Sequence, residues 1–128
     1  MPQEAQPFTR FDHVQLAMPP GGENVARDFY TGVLGMTEVR KPARLTARGG
    51  TWFQSGDLAL HLGVDPDFKP ARKAHPALRC RNYLRLLERL RSASISVEPD
   101  APLSDGSEHA YVSDPFGNRI ELIADDKS

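Results

Sequence analysis

Apolar and polar residues alternate along FDHVQLAM (residues 11–18) and the pattern stops at Pro19-Pro20-Gly21-Gly22, which predicts a strand closed by breakers. From Glu23 the spacing changes. Val25, Phe29, Val33 and Leu34 fall on one helical face, and Gly35 follows where a left-handed residue ends a helix. Three short strand-like runs come next, MTEVRK, GTWFQSG and LALHLGV, separated by residues 42–50 and by the Gly56-Asp57 turn signal. Residues 65–74 carry two prolines and no periodicity, so they read as a surface connection. The pattern then restarts. HPALRC predicts a strand, and NYLRLLERLRSAS a helix with Tyr83, Leu86, Leu87 and Leu90 on one face and Asn82 as its cap. ISVEP, EHAYVS and NRIELIAD predict three more strands.

The order β-α-β-β-β thus occurs twice although the halves share little residue identity. A small sheet covered by one helix leaves its other face open, and a second similar sheet can cover it. The expected fold is α+β, with two βαβββ modules paired into an incomplete barrel. Module one spans residues 11–64, a linker 65–74 and module two 75–125, within one domain of residues 11–128. Residues 1–10, polar and with two prolines, are expected to be a flexible lead-in.

Strand parity sorts the chemistry. Alternate side chains face opposite sides of a sheet, so Val14 and Leu16 share one face while His13 and Gln15 take the other. Leu58, Leu60 and Leu62 form an apolar row, which sends His61 to the opposite face; His75 opposes Leu78 and Cys80 in the same way. In the last strand Ile120 and Leu122 flank Glu121, which therefore points away from the helix. His13 and His75 fall on first strands, His61 and Glu121 on fourth strands, at intervals of 48 and 46 residues. Three imidazoles and a carboxylate suit Zn, Ni, Fe, Mn or Co, and one such divalent ion would neutralise a carboxylate that is costly to bury alone. A lone strand histidine is more often an ordinary core or surface residue. Glu121 could equally face water or pair with Arg119 or Arg79. By the same parity His109 and Tyr111 face the open side, His109 as a candidate general acid or base. Gln15, Trp52, Tyr111 and Phe116 are candidates for the substrate-binding wall.

Bulk properties narrow the class. The 128 residues suffice for one domain, and 39% hydrophobic and 26% charged residues with net charge −1 are those of an ordinary globular chain. Nucleic acid and anionic membrane are not expected partners. A single cysteine, Cys80, allows no intrachain disulfide, and no signal-peptide pattern or long apolar run is present, so a cytoplasmic location is expected.

FDHVQLAM, DFYTGVLGM, LALHLGV and above all DPFGNRIELI resemble the vicinal oxygen chelate superfamily, which includes glyoxalase I, fosfomycin-resistance transferases, methylmalonyl-CoA epimerase, extradiol dioxygenases and metal-free bleomycin-resistance proteins. The resemblance runs from about Phe11 to Ile123. It implies paired βαβββ modules with metal ligands from the first and fourth strand of each, so that His13, His75 and Glu121 fall on ligand positions. His61 falls where glyoxalase I-like members carry Glu and epimerase-like members Gln. The function implied is a metal-dependent enzyme, a glyoxalase-like lyase or isomerase or a related transferase. It would act on a small molecule with adjacent oxygens and stabilise an enolate, alkoxide or oxyanion on the metal. The alternative is a non-catalytic protein that sequesters a small molecule such as an antibiotic, and the third reading an extradiol-type dioxygenase. QLAMPP lacks the basic residue used for glutathione, and Gln15 stands where fosfomycin transferases carry threonine. In the family, modules pair within one chain or between two; a homodimer is expected.

Overall fold

The computed structural model describes residues 4–125. Expectations for residues 1–3 and 126–128 lie outside the described residues; residues 4–10 are exposed and carry neither helix nor strand. Module one comprises β1 (Val14–Met18), α1 (Glu23–Arg27), β2 (Thr37–Val39), β3 (Thr51–Ser55) and β4 (Leu58–Val64), with a 3₁₀ segment over Ala43–Arg48. Module two comprises β5 (Ala77–Cys80), α2 (Tyr83–Ser92), β6 (Glu98–Asp100), β7 (His109–Ser113) and β8 (Arg119–Ala124). The sheets run β1-β4-β3-β2 and β5-β8-β7-β6, each with its first strand parallel to its fourth and its other pairs antiparallel. The repeat read from the sequence is the repeat of the fold.

Apolar parity explains the packing. Phe53, Leu60 and Leu62 from the first sheet and Val112, Ile120 and Leu122 from the second are buried in one continuous cluster with Ala26, Phe29, Tyr30, Leu87 and Leu90 from the helical segments. Among the described residues two side-chain hydrogen bonds tie the modules together. The Tyr30 hydroxyl donates to Asp114 Oδ2 at 2.7 Å, and Asn118 Nδ2 donates to the Ala17 carbonyl at 2.8 Å. Asp114 also accepts from the backbone N–H of Phe116 and Asn118, which builds the DPFGN turn around its carboxylate.

Three local expectations are corrected. Val25 is 48% exposed, and the buried face is instead Ala26, Phe29 and Tyr30. After Arg27 the helix widens into a π-helical stretch over Asp28–Val33, with the Leu34 N–H bonded to the Phe29 carbonyl, and this longer repeat shifts which residues meet the sheet. Asn82 precedes α2 as expected, but its side chain makes no cap bond. It adopts a left-handed conformation (φ 53°), which asparagine tolerates, to turn the chain from β5 into the helix. The strand expected at ISVEP begins later, at Glu98, while Ile95 and Val97 pack against the core before it. Gly35 does end the helical segment with φ +76°.

Candidate functional site

Register turns parity into two matching rows. In the first sheet Gln15, His61, Trp52 and Val39 are successive cross-strand partners. In the second, the equivalent row is Ala77, Glu121, Tyr111 and Glu98. Both rows lie on the sheet faces turned away from the core. His13 and His75 occupy equivalent places just before β1 and β5, one pleat beyond these rows. His61 and Glu121 are therefore counterparts, as their sequence intervals imply.

On the first sheet the imidazole of His61 is sandwiched. Its ring stacks on Trp52 with centroids 4.0 Å apart and planes 3° apart, and on its other side lies His13 at 4.3 Å. Burial, reinforced by the neighbouring His13, lowers the His61 pKa and favours the neutral ring. His13 Nδ1 lies 2.9 Å from Asp12 Oδ2, and this hydrogen bond holds the Asp12 carboxyl below its ordinary range. His61 and Trp52 line a cleft of about 590 Å³ with Arg10, Phe11, Asp12 and Arg40.

On the second sheet Glu121 is 7% exposed and held at both oxygens. His75 Nε2 lies 3.0 Å from Oε1 and His109 Nδ1 lies 2.8 Å from Oε2. This pairing answers how the carboxylate is tolerated inside an apolar strand, and it is not to arginine: Arg79 pairs with Asp105 at 3.1 Å, and Arg119 lies over the Tyr111 ring, 4.1 Å from its centroid. His75 Nδ1 donates to the Lys73 carbonyl at 2.8 Å, so Nε2 is the nitrogen presented to Glu121. His109, 5% exposed, has its Nε2 2.7 Å from the Ala101 carbonyl. Burial opposes its charge, but the carbonyl and Glu121 outweigh burial and raise its pKa.

The structure thus brings His13 together with His61 and Trp52, and His75 together with Glu121, His109 and Tyr111. It does not bring the two groups together within the chain. Among the described residues no three His, Cys, Asp or Glu side chains converge closely enough to hold a metal ion, and the cleft lined by His61 and Trp52 reaches neither His75 nor Glu121. Gln15 is exposed on its row, with its amide over Gly63. Phe116 packs over Gly22 and against Phe68 at 6.4 Å, where it anchors a turn to the linker rather than facing either row.

The donors on the second sheet fit a first-row divalent cation. A ligating histidine ordinarily donates its other ring N–H to a carbonyl, as His75 does to Lys73. A 3.0 Å separation of nitrogen and carboxylate oxygen suits two ligands on one ion with bonds of about 2.0–2.2 Å. The neutral His61 ring is the form that ligates. What sequence reasoning missed is the bond from His109 to Glu121: parity put both on one face, but only the register, which sets His109 opposite Ile123, makes them diagonal neighbours.

Residues 10–122 match the sequence profile of the family described as Glyoxalase/Bleomycin resistance protein/Dioxygenase superfamily. Among solved structures, a protein from Bacillus anthracis assigned to the glyoxalase family is 41% identical, with a TM-score of 0.89 over 94% of this chain and 98% of that one. A glyoxalase/dioxygenase from Nostoc punctiforme is 23% identical (TM-score 0.75; 98% of each chain), and the fosfomycin resistance protein FosX from Listeria monocytogenes 16% identical (TM-score 0.72; 91% and 93%). These last two are similar in fold. No curated protein matches the chain.

Proposed function

Because the chain belongs to the glyoxalase, bleomycin resistance protein and dioxygenase superfamily, we propose that it is a metal-dependent enzyme of the vicinal oxygen chelate kind, holding one divalent cation with His13, His61, His75 and Glu121. Its substrate is a small molecule with two adjacent oxygens. The observation that carries this reading is the His75–Glu121 pair, with Nε2 and Oε1 3.0 Å apart and the far nitrogen of His75 tied to a backbone carbonyl. When bound, the cation supplies Lewis-acid stabilisation of an enolate, alkoxide or oxyanion.

Each residue then has a task. Trp52 clamps the plane of His61, and Asp12 orients His13 through Nδ1. Tyr111, between His75 and His109, and Gln15 contribute to the wall that a substrate meets, with Trp52 at its other side. His109 holds Oε2 of Glu121; to move a proton to or from substrate it must release one of its two present partners.

The two half-sets sit on different sheets, and this favours a homodimer in which module one of one copy faces module two of the other, giving two equivalent sites related by a two-fold axis. The stacked Trp52, His61 and His13 rings favour a second reading, a protein that sequesters a flat compound without turning it over. The test is a screen of vicinal dicarbonyls, epoxides and catechols with protein loaded separately with Zn, Ni, Fe, Mn and Co. Turnover that disappears on chelation and in Glu121→Gln supports the enzyme; tight binding of an aromatic compound with no turnover under any metal overturns it in favour of the carrier. No helix among the described residues is long and apolar enough to cross a membrane.

A further inference from the structure

On the open face of the second sheet nearly every charged side chain is already matched. Arg79 pairs with Asp105 and bonds Ser107, while His75 and His109 share Glu121. Asp114, in the turn after β7, is consumed by Tyr30, Asn118 and the turn N–H groups. Arg119 differs. It is half-buried, and among the described residues its guanidinium makes no hydrogen bond and no ion pair; what holds it is the face of Tyr111, 4.1 Å away. Tyr111 is in turn fixed by edge contacts from His75 at 5.4 Å and His109 at 5.6 Å. A guanidinium laid on an aromatic ring is confined at low entropic cost, and its planar fork of N–H donors matches a carboxylate through two parallel bonds.

Its position relates it to the candidate ligands. Arg119 and Glu121 are two residues apart on β8 and so share a face, about 7 Å apart along the strand. His75 lies just before β5, whose Ala77 is the partner of Glu121, so His75 flanks Arg119 across the strand pair. A cleft of about 790 Å³ opens beside Arg119, lined also by Tyr111, Ser113, Arg72 and Glu98, with His75 and Glu121 outside its lining. With two guanidinium groups against the one carboxylate not otherwise engaged, this end of the face favours an anion.

We propose that Arg119, held over Tyr111, is the specificity-determining residue that binds a carboxylate of the substrate, so that the substrates are small carboxylic acids carrying a neighbouring oxygen pair. This rests on the metal-dependent reading, since the oxygen pair is taken to sit at the His75–Glu121 end of the face while the acid group reaches Arg119. Arg119 thereby discriminates an acid from its neutral isostere.

The experiment uses malonohydroxamate, which joins a vicinal oxygen pair to a carboxylate, and its neutral amide, malonamohydroxamate. Both are titrated calorimetrically into nickel-loaded wild type, Arg119→Met and Arg119→Lys, after nickel affinity of each has been measured. In wild type the acid should bind about tenfold or more tightly than the amide, the scale of charged hydrogen bonds. In Arg119→Met that preference should vanish, acid and amide binding about equally to protein whose nickel loading has been matched to wild type. Arg119→Lys should recover part of the preference. Equal binding of acid and amide by wild type, or a preference that survives in Arg119→Met, overturns the inference while leaving the metal reading standing. Absence of nickel binding by wild type overturns the metal reading, and the inference with it.

Discussion

Replacing His109 by alanine probes how the buried carboxylate is stabilised. The substitution deletes two short contacts, Nδ1 to Glu121 Oε2 at 2.8 Å and Nε2 to the Ala101 carbonyl at 2.7 Å, at a site 5% exposed. A hydrogen bond with a charged partner contributes about 1.5–3 kcal/mol and an ordinary one about 1 kcal/mol. Glu121 would keep only His75, which removes the best partner of a 7% exposed carboxylate. The expected loss is about 2.5–4 kcal/mol, a large part of the roughly 5–15 kcal/mol that stabilises a domain. It should depend on pH with a definite sign. Burial works against the charged ring, but the Ala101 carbonyl and Glu121 raise its folded-state pKa above the unfolded value. Its stabilisation is therefore complete below about pH 6.5 and fades as pH rises through the raised value. Urea unfolding of wild type and His109→Ala, at one protein concentration and with chelator to keep both metal-free, should show the gap widest near pH 5.5 and narrower at pH 9. A gap that is constant, or grows with pH, would refute the view that a charged His109 holds Glu121.

Other perturbations test the frame. Asp114→Ala removes the acceptor for Tyr30, Asn118 and two turn N–H groups and strands a fully buried tyrosine hydroxyl; a loss of about 3–5 kcal/mol in chemical denaturation is expected, less for Asp114→Asn. Gly50→Ala places a methyl group directly against the Leu62 carbonyl at φ +89°, so it should cost about 2–5 kcal/mol by the same measurement. Sedimentation at micromolar concentration should give a homodimer, and a strictly monomeric protein that still binds metal through both half-sets would contradict assembly across two copies.

Much of the fold could be read from alternation because strands leave a plain signature. The row Leu58, Leu60, Leu62 identified the core side of β4 and hence the direction of His61, and Ile120 with Leu122 did the same for Glu121. Where the periodicity was neither 2 nor 3.6 the reading failed: the π-helical turn after Arg27 brought Ala26 and Tyr30 inward and left Val25 in solvent. Alternation tells which face a residue takes and is silent on what that face meets. Both helices and the inner faces of both sheets merge into one core, so the ligand-bearing faces are the ones left outward, and nothing in the local pattern of either module determines that choice. The partners of His109 were hidden for another reason. One is a carbonyl in the loop before β7, and the other needs the β7–β8 register, a non-local property.

In the proposed function, imidazoles from both modules and Glu121 share one cation. Element-resolved mass spectrometry of protein purified without a metal-affinity column, dialysed against each candidate ion and desalted, measures it directly. Wild type should retain close to one ion per chain, and His61→Ala and Glu121→Ala, which alter opposite modules, should each retain far less while remaining folded. Retention unchanged in the His61 variant would mean that His61 is no ligand, unchanged retention in His13→Ala as well would remove module one from the site, and an ion-free wild type would leave a carrier in place of the enzyme.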